Sequence, residues 1–280
     1  MGLNFNMLLT DQGLDLREVR LLRHRGKGPG GLTPYTLWRD NRADFERYQS
    51  AQHSKQRADF RGQYWASFVV PNDGSTLFAG LYQISGYRPV AMDWVDPLMR
   101  ATPPQMGVDL DIYEYQRVQD FDDYIGRLRI DWGPGFRSWV QRADSRTGSK
   151  SIIELTRTFR EPDFPGYTSF IGNLATLPTV PAPWIAALSA ARGIYLLTCP
   201  RTREQYVGAA YGGDGFWGRW QAYVATGHGG NEGLKSRDPS DYQISILEVA
   251  GSAATMDDIC AMEAQWKAKL QSREMGLNRN

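Results

Sequence analysis

Two short apolar runs near the end of the chain are separated by a turn, and each run carries a tyrosine. Residues 193–199 read GIYLLTC and residues 205–208 read QYVG, with PRTRE between them. Short runs rich in aromatic and β-branched residues favour strands, while a proline among polar residues favours a turn. We therefore expect a β-hairpin. Polar groups that recur on adjoining strands are poor core material, which indicates a site at Tyr195 and Tyr206.

The residues that follow the hairpin alternate between helix and strand. Residues 216–225 read FWGRWQAYVA, lose the alternation of a strand and predict a helix despite an internal glycine. On this helix Arg219 and Tyr223 are four residues apart and share one face. Residues 242–249 predict a third strand, and residues 255–270 predict a closing helix with an apolar stripe. The end of the chain is thus expected to form a three-stranded antiparallel sheet flanked by helices.

The order of these motifs resembles the GIY-YIG nuclease family. The matching residues lie within 192–280 and are, in order, Gly193-Ile194-Tyr195, Tyr206-Val207-Gly208, Gly218-Arg219-Trp220 with Tyr223, Glu263 in the closing helix, and Gly276-Leu277-Asn278. A lone Gly-Ile-Tyr tripeptide is a weak signal, but this series in this order, on the expected strands and helices, is specific. The stretch after the second motif, Ala209-Ala210-Tyr211, departs from members that carry a lysine there.

The resemblance implies a DNA endonuclease that uses a divalent cation. Glu263 would hold a single Mg²⁺ or Mn²⁺, a hard cation that keeps much of its water shell. Arg219 would clamp the phosphate through its planar fork. Tyr195 would accept a proton or position the attacking water. An unperturbed phenol has a pKa of about 10, so Arg219 and the metal would have to lower the pKa of Tyr195.

The other matching residues have supporting roles in this resemblance, and the constellation also has structural alternatives. Tyr206 and Tyr223 would orient water and phosphate, and Asn278 would place a neutral amide against the closing helix or the substrate backbone. A tyrosine on a strand is commonly a half-buried packing residue. Glu263 alone is typical of a solvated helix residue, and Arg219 could stack on its tryptophan neighbours. The joint spacing favours the functional interpretation.

His228 lies in a glycine-rich loop, GHGGN, after the predicted helix. Some relatives carry a histidine in this neighbourhood, so His228 is a candidate accessory residue that contacts a phosphate or donates to the leaving group. The alternative is a surface histidine, which the loose spacing favours. The three histidines and two cysteines of the chain show no ligand-type spacing, so no zinc site is expected.

The chain upstream of the tyrosine motifs is expected to form a separate domain. Prolines interrupt regular structure between residues 176 and 191, which predicts a domain at 1–175, a linker at 176–191 and a nuclease-like domain at 192–280. The upstream pattern predicts a helix near residues 43–57 and strands at 64–70, 76–87, 112–115, 127–130 and 152–155. Residues 1–175 loosely resemble a PUA-like open β-barrel. The predicted class of the whole chain is α+β.

Two upstream segments are candidates for DNA recognition. Arg23, Arg25 and Lys27 lie in a glycine-rich basic segment that suits the tracking of phosphates. The second segment places aromatic rings beside a guanidinium, which could stack on an extruded base: Trp132, Arg137 and Trp139. The structural alternatives are a solvated loop for the first segment and core packing for the second, because tryptophan is mostly buried.

Composition sets wider limits. The 280-residue chain is 41% hydrophobic, which supports ordinary globular cores in two domains. Its net charge of +1 says nothing by itself about nucleic acid. Two cysteines do not make a disulfide framework, so a reducing cytoplasm is expected. The sequence has no run of about 18 apolar residues and no basic-then-apolar leader, so neither membrane insertion nor export is expected.

These observations together favour a DNA endonuclease of a restriction-modification or phage-defence system. One active site cuts one strand, so cleavage of double-stranded DNA is expected to involve a homodimer. A repair or mobile-element nuclease is the alternative with the same chemistry. A non-catalytic DNA-binding regulator with a retained nuclease-like core is the alternative without it, and the intact Tyr195, Arg219 and Glu263 count against that interpretation.

Overall fold

Two compact units make up the chain, Met1–Pro162 (unit 1) and Asp163–Asn280 (unit 2). The computed structural model describes residues 2–133, 138–230, 234 and 242–278. Each unit has its own sheet with helices packed on it, and the predicted α+β class is confirmed. Among the described residues, no helix has both the length and the apolar composition that a membrane crossing needs.

Unit 1 is built on a large curled sheet. Its described strands are β1 (Val19–His24), β2 (Ala51–His53), β3 (Tyr64–Val69), β4 (Thr76–Pro89), β5 (Leu110–Arg117), β6 (Leu128–Ile130), β7 (Val140–Arg142) and β8 (Ile152–Leu155). Its described α-helices are α1 (Phe5–Asp11), α2 (Pro34–Asp40), α3 (Arg42–Ser50) and α4 (Pro103–Met106). The strand order is β2-β5-β4-β3-β1-β7, and β6 pairs with both β4 and β8. Strands β1 and β3 are parallel, and the other pairs are antiparallel.

Strand β1 lies between β3 and β7 and is buried on both faces. Val19 and Leu21 pack with Phe68 on one face, and Leu22 packs with Trp65 on the other. This division follows the period of two that places successive side chains of a strand on opposite faces. The sheet of unit 1 therefore has apolar clusters on both sides of its centre.

All five strands predicted for unit 1 are present, with shifts of a few residues at their ends. The hairpin predicted at 64–70 and 76–87 is confirmed by β3 and β4, and β5, β6 and β8 cover the other predicted strands. The helix predicted near 43–57 is too long, because α3 ends at Ser50. The next residue, Ala51, enters β2 and pairs with Ile112 of β5. Pairing between distant segments thus overrides the local helical pattern.

Unit 2 contains a four-stranded antiparallel sheet. Its described elements are β9 (Ile171–Asn173), α5 (Ala182–Ala190), β10 (Gly193–Thr198), β11 (Gln205–Ala210), α6 (Gly215–Thr226), β12 (Gln243–Val249) and α7 (Met256–Lys269). The order is β11-β10-β12-β9, so the sheet has one strand more than the sequence predicts. Strand β9 has only three residues, and its Ile171 is 67% exposed. The sequence of β9 therefore lacks the alternation of buried and exposed residues from which a strand is predicted.

The predicted linker, residues 176–191, lies inside unit 2 rather than between the units. Most of it forms α5, which packs on α6 with Trp184 and Leu188 in the same cluster as Phe216 and Trp220. Prolines at the start of α5 are compatible with a helix because the first N–H groups of a helix need no partner. The boundary between the compact units falls at Pro162 and Asp163 instead.

Helices cover both faces of the small sheet. Tyr195 and Leu197 of β10 belong to the cluster that includes Trp220 of α6. Ile194 belongs to the opposite cluster, which includes Ile259 of α7. Strand β11 is the outer strand on this side of the sheet, so side chains from α6 and α7 can both reach the space beside it.

Candidate active site

Tyr195 lies on β10 directly opposite Gly208 on β11. Its side chain is fully buried, and its ring lies over the glycine, where any Cβ would overlap with Cζ and Oη of the tyrosine. Only glycine lets the ring take this place. The glycine of the second tyrosine motif is therefore explained by the tyrosine of the first.

Gly193 sets the backbone just before Tyr195. Its φ is +152°, a backbone conformation that residues other than glycine rarely adopt. A Cβ at this position would overlap with the carbonyl oxygen of Glu248 on β12. The register between β10 and β12 shifts between Ile194 and Tyr195, which is the signature of a β-bulge. Bulge and glycine together determine where the Tyr195 side chain leaves the strand.

Three polar side chains converge beside Gly208. The hydroxyl oxygens of Tyr195 and Tyr223 are 2.8 Å apart. The Nε of Arg219 donates to Tyr195 Oη at 3.1 Å, and its Nη2 donates to Tyr223 Oη at 3.3 Å. The guanidinium carbon also lies 5.0 Å from the centre of the Tyr223 ring. One guanidinium therefore fixes two phenol oxygens, and we call these three side chains the Arg219 network.

The loop after α6 provides a third anchor for Arg219. Its Nη1 donates to the carbonyl oxygen of Gly229 at 3.0 Å. Gly229 has a φ of +54°, and a Cβ there would come within 2.8 Å of the Tyr223 ring. A guanidinium has five N–H donors. The hydrogen bonds to described residues use three of them, which leaves one N–H on each terminal nitrogen for an anion.

Burial keeps the phenols of this site neutral near pH 7. It raises the pKa of Tyr195, and the positive charge of Arg219 offsets only part of that rise. Burial also raises the pKa of Tyr206 and of Tyr223. Burial acts to lower the pKa of Arg219, but the neighbouring tyrosine oxygens raise it by more, so Arg219 stays charged. Arg219 alone therefore does not bring the pKa of Tyr195 below the usual value of a phenol.

A cleft of about 420 Å³ lies beside β11 and next to the Arg219 network. We call it the β11 cleft. Its lining includes β11, the glycine-rich turn after it, α6 and α7, with Tyr206, Tyr211, Asp214, Arg219, Ala222 and Glu263 among the lining residues. Three residues predicted for catalysis thus share one cleft. Tyr195 and Tyr223 belong to the network but are not among the described residues that line the cleft.

Glu263 of α7 contributes a carboxylate to the β11 cleft. Its side chain is 17% exposed, and its Oε1 lies 3.3 Å from the Nζ of Lys267 one turn later. The Lys267 side chain is only 5% exposed, so this ion pair is largely shielded from water. The pair holds Glu263 in one orientation on the cleft wall.

The residues present fit a hydrated divalent cation. Within the described part of the chain, no group of three or more His, Cys, Asp or Glu side chains could hold a metal ion. A cation in the β11 cleft would take Glu263 as its protein ligand and keep most of its waters, which is how Mg²⁺ commonly binds. A direct bond to Oε1 would compete with the ammonium of Lys267.

Asn278 is bound to the backbone of β11. Its Oδ1 accepts a hydrogen bond from the Val207 N–H at 2.9 Å, and its Nδ2 donates to the Val207 carbonyl oxygen at 2.8 Å. The Leu277 N–H donates to the carbonyl oxygen of Gln205 at 2.8 Å. Leu277 and Asn278 therefore lie along β11 next to Tyr206. This geometry supports a role for Asn278 in holding β11, in place of the predicted position against the closing helix or the substrate backbone.

His228 is half-buried in the loop after α6. Its Nδ1 accepts a hydrogen bond from the Gly230 N–H at 2.9 Å, and its own N–H donates to Thr226 Oγ1 at 3.3 Å. It is not among the described residues that line the β11 cleft. Among the described residues, no contact of His228 supports the predicted accessory role, whereas the neighbouring Gly229 binds Arg219 directly.

The basic segment of unit 1 is part strand and part loop. Arg23 lies in β1, where its guanidinium carbon is 5.9 Å from the centre of the Trp132 ring and its Nη2 donates to the Gly74 carbonyl oxygen at 3.3 Å. Arg25 and Lys27 follow the strand and are exposed. The predicted basic loop is therefore shorter than expected, because Arg23 takes part in the packing of the sheet.

The three residues predicted to stack on a base differ in their surroundings. Trp132 is 4% exposed and belongs to a core cluster, with the Nζ of Lys150 4.5 Å from its ring centre. Burial leaves Trp132 little ring surface on which a base could stack. Trp139 is half-buried and packs against Phe60. Arg137 lies outside the described residues.

Two contributors to the site are absent from the sequence prediction. Lys267 follows Glu263 by four residues on one helix, a spacing that signals an ion pair and could have identified it. Gly229 contributes a backbone carbonyl, which every residue has, so sequence offers no signal for its hydrogen bond with Arg219.

Comparisons with protein-family models, with curated proteins and with solved structures found no match to this chain. The functional interpretation therefore depends on the residues and contacts described above. The strongest of these is the position of Arg219, which joins the two phenols of its network to the β11 cleft.

Proposed function

We propose that unit 2 is a Mg²⁺-dependent DNA endonuclease domain of the GIY-YIG type, in an enzyme of restriction-modification or phage defence. The observation that carries this proposal is the convergence of Arg219, Tyr206 and Glu263 on one cleft, with Tyr195 and Tyr223 hydrogen-bonded to the arginine. Phosphodiester hydrolysis needs a cation against the phosphate, an oriented water and a held metal ion. The described residues offer a candidate for each need.

Arg219 is the proposed phosphate-binding group. In the reaction a water oxygen attacks phosphorus, and the bond from phosphorus to the leaving sugar oxygen breaks. The two N–H groups that remain on the terminal nitrogens of Arg219 suit two phosphate oxygens. Hydrogen bonds to Tyr195 and Tyr223 fix the guanidinium before substrate arrives, so little reorganisation is needed as charge develops.

Tyr206 is the phenol on the cleft wall and is proposed to orient the attacking water. Because burial raises its pKa, it acts as a neutral hydrogen-bonding group near pH 7. A divalent cation at Glu263 would supply positive charge that neutralises the phosphate and makes a nearby water more acidic. Acceptance of a proton by Tyr195 requires more positive charge than Arg219 alone provides.

Unit 1 is the proposed reader of DNA sequence or base modification, and a homodimer on double-stranded DNA is the proposed cutting form. A domain that contacts only the phosphates near the cut carries little sequence information, so readout needs further surface. Arg25 and Lys27 are exposed beside β1 and suit contacts with phosphates.

Plasmid cleavage with and without Mg²⁺ tests the proposed activity. The whole chain should nick or linearise supercoiled DNA when Mg²⁺ is present, and an excess of chelator should stop it. Glu263→Gln should lower the rate at least about 100-fold, since it removes the charge that holds the cation. Glu274→Gln, an exposed site just after α7, is the matched control and should cut normally. Failure of the whole chain to cut any of a panel of modified and unmodified DNAs would contradict the proposal.

A further inference from the structure

A second cleft, in unit 1, is larger than the β11 cleft and has no part in the proposed cleavage. Its volume is about 870 Å³, within the range of ligand sites. We call it the β1 cleft, because Arg23 and His24 at the end of β1 line it. Apolar side chains dominate its wall, including Leu98 and Leu110, with a few polar groups among them. This combination is typical of sites for small organic groups.

Aromatic rings form one wall of the β1 cleft. Trp139 is half-buried, and its ring centre lies 6.0 Å from that of His24 and 5.6 Å from that of Phe60. The Trp139 carbonyl oxygen accepts a hydrogen bond from the Arg23 N–H at 2.8 Å, which fixes its backbone to β1. Tyr48 also lines the cleft, and its ring centre lies 5.6 Å from that of His24. A supported indole of this kind suits a flat ring stacked on it.

His24 places a neutral polar group in this wall. The residue is 2% exposed, and burial lowers its pKa to about 3, so the imidazole is uncharged near pH 7. Its Nε2 has no hydrogen-bond partner among the described residues. A buried polar group without a partner is unfavourable. An imidazole can donate or accept, so it suits the mixed donors and acceptors along the edge of a nucleobase.

Positive charge lies at the same cleft. Arg23 and Arg25 both line it, two residues apart along the chain. Burial lowers the pKa of Arg23, and the charge of Arg25 lowers it further, which shows that the two guanidiniums repel each other. An anion bound near Arg25 would relieve this repulsion. A phosphate is an anion that a guanidinium binds well.

Asp96 holds in place the segment that contributes Leu98, Met99 and Ala101 to the cleft. Its Oδ1 accepts hydrogen bonds from the N–H groups of Leu98 and Met99 at 2.8 and 2.7 Å. The Asp96 N–H donates to the carbonyl oxygen of Ala101 at 2.9 Å. Gly28 approaches Leu98 so closely that a Cβ would overlap with the Leu98 carbonyl oxygen. The cleft is therefore formed before any ligand arrives, which lowers the entropic cost of binding.

We propose that the β1 cleft binds one nucleotide, with the base against Trp139 and His24 and the phosphate near Arg25. A flat aromatic wall, a neutral donor or acceptor and a guanidinium match the three parts of this ligand. The nucleotide has two sources, a base extruded from a DNA strand or a free mononucleotide. Supply by DNA rests on the proposed function of the chain, whereas the chemistry of the cleft does not.

Calorimetric titration of the whole chain with the four deoxynucleoside 5′-monophosphates, without divalent cations, tests the site directly. At least one should bind, and deoxyribose 5-phosphate, which lacks the base, should bind at least about tenfold more weakly. Trp139→Ala should weaken binding by a similar factor, and Trp139→Phe should retain most of it. Arg25→Ala should weaken binding, whereas Arg88→Ala, an exposed arginine outside the cleft, is the matched control.

Because Trp139 also packs on Phe60, Ala101→Trp provides a second variant that fills the cleft and removes no packing. It should abolish nucleotide binding while circular dichroism shows an unchanged fold. Equal affinity of the whole chain and the Ala101→Trp variant for every nucleotide would overturn the proposal, as would the absence of binding by all four.

Duplex DNA that carries 2-aminopurine separates the two sources, because the fluorescence of this base rises when it leaves the stack. With chelator present, the whole chain should raise the fluorescence, and Ala101→Trp should not. A rise that Glu263→Gln retains would support base extrusion even if plasmid cleavage fails, so the two proposals are tested separately. Binding of free nucleotides without any fluorescence rise would keep the site and assign it a free nucleotide.

Discussion

Arg219 Nε donates a hydrogen bond to Tyr195 Oη at 3.1 Å, which joins the first tyrosine motif to the arginine of α6. Tyr223, one turn after Arg219, completes the Arg219 network, because its hydroxyl oxygen lies 2.8 Å from that of Tyr195. The arrangement gives the tyrosines a defined task near pH 7, where burial keeps them neutral. They fix the direction of a guanidinium that lines the β11 cleft.

Replacement of Arg219 by lysine tests whether the fork, in addition to the charge, is needed. An ammonium cannot donate to Tyr195, Tyr223 and Gly229 in this planar geometry and still bind a phosphate. We expect Arg219→Lys to raise the barrier of single-turnover cleavage by about 2–4 kcal/mol. Tyr195→Phe should slow the same step by about 100-fold. The exposed Arg203→Lys is the control, and near-normal rates in both site variants would remove these residues from catalysis.

Gly208→Ala tests the contact between the two tyrosine motifs. The added methyl group would overlap with the Tyr195 ring, so the ring must leave its position or β11 must shift. Overpacking of this kind costs about 1–3 kcal/mol of unfolding free energy, measurable by urea titration. The barrier to cleavage should rise by more than the unfolding free energy falls, because Arg219 loses its hydrogen bond to Tyr195. Gly251→Ala is the control, since a Cβ there meets nothing within 4 Å. An unchanged cleavage rate in Gly208→Ala would show that the position of Tyr195 is unimportant.

Lys150 in unit 1 is expected to make stability depend on pH. Its side chain is buried, with Nζ 2.8 Å from both the Trp132 carbonyl oxygen and Gln141 Oε1. Burial lowers its pKa from 10.5 to about 8; the charge of Asp131 raises it in part, and that of Arg23 lowers it. Between these two values the unfolded chain binds a proton that the folded chain does not. Stability should therefore rise as the pH rises from about 8 to about 10.5, on the order of 3 kcal/mol in total.

Urea unfolding at several pH values in this window measures the effect. Lys150→Met keeps the apolar stem and removes the titrating group, so the rise with pH should become smaller by that amount. The exposed Lys55→Met should leave the pH dependence as it is in the unchanged chain. Parallel pH profiles for Lys150→Met and the unchanged chain would show that Lys150 does not titrate in this range.

Local spacing predicted the hairpin of β10 and β11 and the helix α6, and pairing between distant segments explains most of the differences between prediction and structure. The hairpin and the four-residue separation of Arg219 and Tyr223 follow from nearby residues, so the sequence was sufficient to predict them. The sequence pattern does not predict β1, and the basic segment that begins at Arg23 overlaps only its end, because the burial of β1 depends on β3 and β7, which come much later in the chain. Asn278 is a similar case, because its amide meets Val207 only after the chain has returned to β11.

The position of the domain boundary leads to the last prediction, which compares two fragments. A fragment that begins at Asp163 contains all of unit 2, whereas one that begins at Pro183 lacks β9 and the residues before α5. The shorter fragment loses Phe170 and Leu177, which are 2% and 1% exposed, and Phe170 stacks on Trp220 at 5.4 Å.

Each of these two side chains contributes about 1.5–3 kcal/mol by burial, a large share of the roughly 5–15 kcal/mol that stabilise a domain. We therefore expect the fragment from Asp163 to unfold cooperatively in urea and the fragment from Pro183 to lack a cooperative transition. The folded fragment should cut DNA with Mg²⁺ but without the site preference of the whole chain, if unit 1 reads the DNA. Equal stability of the two fragments would place the boundary within residues 176–191, and equal site preference of the Asp163 fragment and the whole chain would move recognition into unit 2.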